Sequence, residues 1–265
     1  MSDKIFKNSL RKSNIMTKET FSTKERIEAL KTHGASSDEA CYALRRLQKI
    51  GAVPFNGIAD GSAKDIYTQA IAQAKKNNQM VSVYLNSGEV KGLFLATPGH
   101  PSPDVMDSYW PYFKSNAQKN RWDKPIEEQK KNEPFDRFSV YEYAKKLYEK
   151  WDAVSIEEQY AAERLEKMGV KPYNGNGATD VADVFWGAMK QAKADKNRVG
   201  VMLNSGVIKG LFVVEPQDMA DDRGYAILAF KQYVKNQQNL RYDKPIAIQQ
   251  MEETQVKNAN IRTFS

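Results

Sequence analysis

The chain has 265 residues, of which 41% are hydrophobic and 28% charged, and its net charge is +7. This composition is typical of a globular protein and leaves room for one large domain or two of ordinary size. No apolar run approaches the roughly 20 residues that a helix needs to cross a bilayer, so we expect no membrane partner. The single cysteine, Cys41, permits no internal disulfide, which favours a reducing compartment and a cytoplasmic location.

One phrase occurs twice, as LNSGEVKGLFL from position 85 and as LNSGVIKGLFV from position 203. Around it, 27 of 62 positions are identical when residues 37–98 are compared with residues 155–216 without a gap. After a two-residue insertion in the second copy, RWDKPI matches RYDKPI. The pattern indicates a tandem duplication, and its period is too long for the unit of a solenoid.

The repeat divides the chain into three segments. Residues 21–138 form the first predicted repeat domain and residues 139–265 the second. Residues 1–20 have no counterpart, and their Lys, Ser, Thr and Asn content predicts a flexible basic N-terminal arm. Pro134 and several charged residues near the join are typical of an exposed linker.

Each unit is predicted to begin with two helices, because a serine followed three residues later by glutamate is the capping-box pattern. The pairs are Ser22–Glu25 and Ser36–Glu39 in the first copy, and Ser139–Glu142 and Ser155–Glu158 in the second. The second helix is predicted to end at Gly51 in the first copy and at Gly169 in the second, because each glycine is followed three residues later by a proline. The PFNG and PYNG segments after them are predicted to be turns.

A third helix is predicted to start after Ser62 in the first copy and after Asp180 in the second, because both residue types cap helices. The alternation of Val81, Val83 and Leu85 then predicts a half-buried strand. The three residues 86–88 are predicted to turn the chain, with the glycine at position 88 left-handed, into a second strand.

A fourth helix is predicted over about residues 105–119, and a proline in the first turn marks a further helix at Pro125 and Pro245. The fold class is therefore α+β, a tandem duplication of a helix-rich unit that contains a β-hairpin. The element order is α-α-α-β-β-α, with room for the further helix.

The charges that recur in both copies are mainly positive. Three acidic pairs recur, and two of them lie at predicted helix starts. Six basic pairs recur: Arg46 and Arg164, Lys49 and Lys167, Lys75 and Lys193, Lys91 and Lys209, Arg121 and Arg241, and Lys124 and Lys244. This bias favours contact with an anion.

Three groups of recurring residues are candidates for nucleic-acid binding, because aromatic rings stack on bases and cations bind phosphate. One is a stripe on the second helix, another is the hairpin lysine beside a glycine, and the third is the RWDKPI or RYDKPI segment. The residues are Tyr42, Arg46, Lys49, Lys91, Arg121, Trp122 and Lys124, and Tyr160, Arg164, Lys167, Lys209, Arg241, Tyr242 and Lys244.

Each group also has a structural interpretation. Lys49 would complement the negative end of its helix, and Arg46 would cover the tyrosine ring. The glycine beside Lys91 would allow a helix to pack closely on the strand. Arg121 would form an ion pair with Asp123. The sequence leaves both interpretations open.

The sequence favours a non-enzymatic nucleic-acid-binding protein with two similar modules and little sequence specificity. It has only two histidines and lacks the common catalytic and metal-binding motifs, so we expect no cofactor and no metal, and an enzyme is the less favoured hypothesis. The alternative is a protein-interaction module, such as an inhibitor, adaptor or phage virion component, that grips a protein partner. Its aromatic anchors would be Trp110, Tyr112, Phe113, Trp186 and Tyr225. The oligomeric state is not encoded in any pattern that we recognise.

Overall fold

The computed structural model describes residues 19–58, 60–175, 180–218 and 223–262, without the side chains of 223–226 and 257–262. Most of the predicted N-terminal arm and the side chain of Tyr225 therefore lie outside the described residues. The chain divides into two compact units, Met1–Lys131 and Asn132–Ser265. We call them the first and the second unit.

The first unit combines helices with a small mixed sheet. Its elements are α1 (Thr23–His33), α2 (Asp38–Lys49), β1 (Val53–Pro54), α3 (Ala63–Asn77), β2 (Val81–Asn86), β3 (Lys91–Ala96), α4 (Met106–Asn120) and α5 (Ile126–Asn132). A short 3₁₀ helix, Pro103–Val105, precedes α4. The α+β class is confirmed.

After a 3₁₀ helix at Glu133–Ser139, the second unit repeats the order of elements of the first and adds one short helix before the last. Its elements are α6 (Tyr141–Trp151), α7 (Ile156–Lys167), β4 (Lys171–Pro172), α8 (Val181–Asp195), β5 (Val199–Asn204), β6 (Lys209–Val214), α9 (Arg223–Lys235), the added α10 (Gln237–Leu240) and α11 (Ile246–Arg262). Another 3₁₀ helix, Pro216–Asp218, follows β6.

Within the described residues, each unit contains a three-stranded sheet. In the first unit, β1 pairs parallel with β2, and β2 pairs antiparallel with β3 from Val81↔Ala96 to Asn86↔Lys91. The order β4-β5-β6 and the same pairing occur in the second unit. The two-residue strands β1 and β4 lie at the start of the PFNG and PYNG segments, where turns alone were predicted, because strands this short show no alternation.

Helices cover both faces of the first sheet. Val81, Val83 and Leu85 pack with α3 and α4 in one hydrophobic cluster. Leu93 packs on the opposite side with residues of α1 and α2. The prediction of a half-buried strand was therefore wrong: Ser82 is also buried, and its hydroxyl contacts His33 of α1.

The helix starts agree with most of the predicted caps. Ser22, Ser62, Ser155 and Asp180 all accept a hydrogen bond from the first turn of their helices. The second helix is capped by Ser37 rather than Ser36. Ser139 caps no helix, because a 3₁₀ helix that contains Pro134 extends through it and α6 begins after Val140.

The hairpin loop is longer than predicted and comprises residues 87–90. Ser87 closes it, because its side-chain oxygen accepts hydrogen bonds from the backbone N–H groups of Glu89 and Val90. Its own N–H donates to the Val90 carbonyl at 3.0 Å. Gly88 is not left-handed, since the serine side chain supplies the turn that the glycine was expected to supply.

Candidate nucleic-acid interface

The RWDKPI segment is bound to the edge of the first sheet. Asp123 Oδ1 accepts a hydrogen bond from the Leu93 backbone N–H at 2.8 Å, and the Trp122 N–H donates to the Leu93 carbonyl at 2.7 Å. Arg121 forms a two-pronged pair with Asp123, at 3.0 Å from Nε to Oδ1 and 2.8 Å from Nη2 to Oδ2. We call these contacts the clasp of the first unit.

The glycine in the repeated phrase makes room for the clasp. A Cβ atom on Gly92 would lie 2.8 Å from Asp123 Oδ1 and 2.9 Å from Arg121 Nε. Its φ of +137° is also one that other residues rarely adopt. The neighbour of this glycine is thus the ion pair, where a helix was one of the expected neighbours. The clasp also covers the free edge of β3, and an uncovered strand edge could pair with another chain.

The second unit has the equivalent clasp. Asp243 Oδ1 accepts from the Leu211 N–H at 2.7 Å, the Tyr242 N–H donates to the Leu211 carbonyl at 2.7 Å, and Arg241 pairs with Asp243. Gly210 has a φ of +127° and faces the same two side chains. In both units the hydrogen bonds to the aspartate raise the pKa of the arginine, which holds the guanidinium in its charged form.

A buried glutamine links the clasp segment to the second helix of each unit. Gln129 Nε2 donates to the carbonyls of Lys124 at 2.7 Å and Glu39 at 2.9 Å. Gln249 donates to those of Lys244 at 2.7 Å and Glu157 at 3.0 Å. Both side chains are fully buried. Sequence reasoning overlooked them, although each glutamine follows the RWDKPI or RYDKPI segment at the same distance.

Two residues of the predicted stripe on α2 face the interior of the first unit. Tyr42 and Arg46 are only 9% and 5% exposed. The Arg46 guanidinium lies 4.7 Å from the centre of the Trp122 ring and donates to Gln129 Oε1 at 3.4 Å. The structure therefore stacks Arg46 on Trp122 inside the first unit, and Tyr42 and Trp122 belong to the same hydrophobic cluster.

The corresponding stripe on α7 is held by acids of α11. Arg164 Nε lies 2.8 Å from Glu253 Oε1, and Nη1 donates to Gln249 Oε1 at 2.8 Å. The Tyr160 hydroxyl donates to the same Glu253 oxygen at 2.8 Å. Burial, followed by this hydrogen bond, raises the pKa of Tyr160 to about 12. Tyr242 packs against the hydrophobic cluster beside them.

The remaining residues that were predicted to bind nucleic acid are lysines. Lys124 pairs with Glu128 at 2.9 Å, and Lys244 pairs with Glu252 at 2.6 Å. Lys167 is 70% exposed and its Nζ lies 2.5 Å from Glu163 Oε1. Three further lysines are exposed: Lys49 at the end of α2, and Lys91 and Lys209 at the start of β3 and β6. Neither hairpin lysine forms an ion pair with a described residue.

Both histidines of the chain lie in the first unit and are partly or fully enclosed. His33 Nε2 lies 2.9 Å from Ser82 Oγ, and burial lowers the pKa of His33 to about 4. Burial also lowers the pKa of His100 to about 4. Across the described part of the chain, no three His, Cys, Asp or Glu residues are grouped so as to hold a metal ion.

The net charge is unevenly distributed along the chain. Residues 132–265 contain 19 Lys and Arg and 19 Asp and Glu. The whole charge of +7 therefore belongs to the first 131 residues, which contain 21 basic and 14 acidic side chains. The second unit has a formal net charge of zero.

No protein-family model, no curated protein and no solved structure matches the chain. Among the described helices, none combines the length and the apolar character that a bilayer span requires.

Proposed function

We propose that the protein binds nucleic acid without catalysis, mainly through phosphate contacts and with little sequence specificity. The observation that supports this proposal is the concentration of the whole net positive charge in residues 1–131, since a basic segment attracts the phosphate backbone over a longer range than individual contacts do. The first unit supplies most of the attraction. We also propose a cytoplasmic location, which a single, buried cysteine suits.

The clasp of the first unit and the α2 and α7 stripes stabilise the fold in this proposal and do not contact the ligand directly. Phosphates are contacted by exposed lysines that form neither an ion pair nor a hydrogen bond with a described residue. In the first unit these are Lys24, Lys31, Lys76, Lys91, Lys119 and Lys131. In such a mode affinity depends on the number of cations near the backbone, and base identity has little influence.

The test is fluorescence anisotropy with labelled single- and double-stranded oligonucleotides over a range of salt concentrations. We expect the logarithm of the binding constant to fall linearly with the logarithm of the salt concentration, with a slope of about −0.7 to −0.9 per phosphate neutralised. Binding that does not change with salt, or the absence of binding at low salt, would exclude the proposal.

A matched pair of variants locates the interface. One carries Gln at Lys24, Lys31, Lys76, Lys119 and Lys131, and the other at Lys146, Lys190, Lys196, Lys231 and Lys235 of the second unit. All ten are exposed, and both variants lose the same charge. We expect the first variant to lose clearly more affinity and more of the salt slope. Equal losses would contradict a basic interface on the first unit.

A protein partner is a second candidate, favoured by apolar side chains on the second unit. Ile248 and Met251 of α11 are 44% and 61% exposed. The equivalent positions of α5 are Glu128 and Lys131. On this hypothesis a defined partner is retained after nuclease treatment and in high salt, and Met251→Asp releases it while Lys131→Asp does not. Loss of the partner upon nuclease treatment would contradict it.

A further inference from the structure

An open depression lies beside the hairpin loop of the second unit. It has a volume of about 280 Å³. The described residues that line it are the loop residues 205–208 together with Lys209, Gln237, Gln238 and Arg241. Two of these side chains are cations, two are amides and none is an acid. The walls therefore offer hydrogen-bond donors and positive charge to anything that enters.

The clasp fixes the orientation of the arginine in this depression. Arg241 Nε and Nη2 are bound to Asp243, and the side chain is 24% exposed. Its Nη1 donates to no described residue. A guanidinium that is held along one edge presents its remaining N–H groups in a fixed direction, which reduces the entropy cost of binding an oxyanion.

The first unit has the same loop and arginine but closes this position. There Arg121 Nη1 already donates to Gln118 Oε1 at 3.3 Å. Glu89 of the loop, paired with Lys114 at 3.4 Å, would repel an anion. The second unit has Val207 at the position of Glu89, and Gln237 at the position of a buried alanine.

These differences all favour an anion in the second unit. In the second unit the loop has no acid, a second glutamine stands at the position of the alanine, and the Nη1 edge of the Arg241 guanidinium is available. From this combination we propose that Lys209, Arg241 and the two glutamines bind a phosphate group. A phosphate has enough oxygens to accept from the guanidinium, the ammonium and an amide together.

The phosphate could belong to inorganic phosphate or to a nucleic-acid backbone, and the site does not depend on the proposed function of the first unit. The experiment is a titration of the ¹⁵N-labelled full chain by NMR at constant ionic strength, with inorganic phosphate in one arm and a short oligothymidine in the other. We expect saturable shifts at residues 205–209 and at the Arg241 side chain, and, in the arm with inorganic phosphate, no saturable shift at residues 87–91.

Two exposed substitutions test the contacts without touching the clasp. Lys209→Ala removes one cation, and Val207→Glu restores the acid of the first unit. Each is expected to weaken binding about tenfold, because the first removes one charge-assisted contact and the second adds a carboxylate that repels the phosphate. The matched control, Lys146→Ala, removes an exposed cation of α6 that does not line the depression, and it should leave the affinity unchanged.

The outcomes separate this proposal from the proposed function. Saturation by either probe, with weakening by both substitutions, supports the site and identifies the source of the phosphate. Linear shifts without saturation by either probe, saturable shifts at both hairpins with inorganic phosphate, or affinity unchanged by Lys209→Ala would overturn it. Oligonucleotide binding by the full chain that survives Val207→Glu would leave the first-unit interface standing.

Discussion

The substitution Gly92→Ala tests the role assigned to the repeated phrase. The new Cβ atom would lie 2.8 Å from Asp123 Oδ1 and 2.9 Å from Arg121 Nε, which is closer than carbon approaches either atom. The clasp would have to move away from β3. The hydrogen bond from the Leu93 N–H to Asp123 Oδ1 would then break, because this oxygen is the atom that the new Cβ displaces.

The expected destabilisation has two contributions. A residue other than glycine at φ of +137° costs about 1–3 kcal/mol. The loss of a hydrogen bond to a charged group costs about 1.5–3 kcal/mol. Together they predict a loss of about 3–5 kcal/mol in the free energy of unfolding of the first unit.

Gly88→Ala is the matched control, because Gly88 lies in the same hairpin and a Cβ atom there would meet nothing within 4 Å. The assay is urea unfolding followed by circular dichroism and tryptophan fluorescence. Gly92→Ala should lower the midpoint of the first unit strongly and Gly88→Ala only slightly. Similar midpoints for the two variants would refute the clasp as the reason for the glycine.

Three further predictions concern buried polar groups of the first unit. The lowered pKa of His33, about 4 against 6.5, keeps it neutral when folded, so its contribution of up to about 3 kcal/mol is complete above pH 6.5 and is lost as the pH falls toward 4. Urea midpoints between pH 7 and 4.5 measure this, and His33→Asn should reduce the slope but not remove it, because the pKa of His100 is also lowered to about 4. Trp151 and Gly200 of the second unit stand at the positions of His33 and Ser82, and a Cβ atom on Gly200 would lie 2.5 Å from the Trp151 indole. His33→Trp should therefore cost about 1–3 kcal/mol by overpacking, and adding Ser82→Gly should recover part of that loss. An additive double-mutant cycle would contradict this. Gln129→Leu should destabilise the unit by about 2–3 kcal/mol in urea unfolding, since it removes two part-buried hydrogen bonds that join Lys124 to α2. An unchanged midpoint would contradict this role.

Local chemistry allowed most elements to be predicted from the sequence. Serine caps, helix-ending glycines and prolines in first turns act within a few residues, so the helices appeared at the expected places. The hairpin strands were confirmed as well, with β3 at Lys91–Ala96. The strands β1 and β4 and the covered second face of the sheet could not be predicted in this way, because they depend on pairing between distant segments.

The candidate site was harder to predict because a residue can recur for reasons of fold. Arg46 recurs as Arg164, yet both side chains are largely buried and bind a glutamine of the following segment. An arginine can bind a phosphate or an internal carboxamide, so identity between the copies does not distinguish a ligand site from a contact within the fold. Only the surroundings of the side chain do, and these come from elements about 85 residues away in the chain.

Pairs of positions that change together carry information that identity does not. Glu19 and Arg45 face each other in the first unit, with 3.7 Å between Arg45 Nη1 and Glu19 Oε2. The equivalent positions are Arg137 and Glu163, which form the same pair with opposite signs at 2.9 Å. Because the reversal preserves the attraction, such a contact could be inferred from two positions that each look variable.

Differences without a compensating change are then the most informative about function. Lys244 remains paired although Ile248 replaces the partner that Lys124 has in Glu128, because Glu252 takes its place. The exposed Ile248 itself contributes no contact that replaces the lost charge. The same holds for Val207, which removes an acid from the hairpin loop and leaves Lys209 and Arg241 beside an open depression. Because these differences add no compensating ion pair, they mark the positions at which we propose that the second unit binds a ligand or a partner that the first unit does not bind.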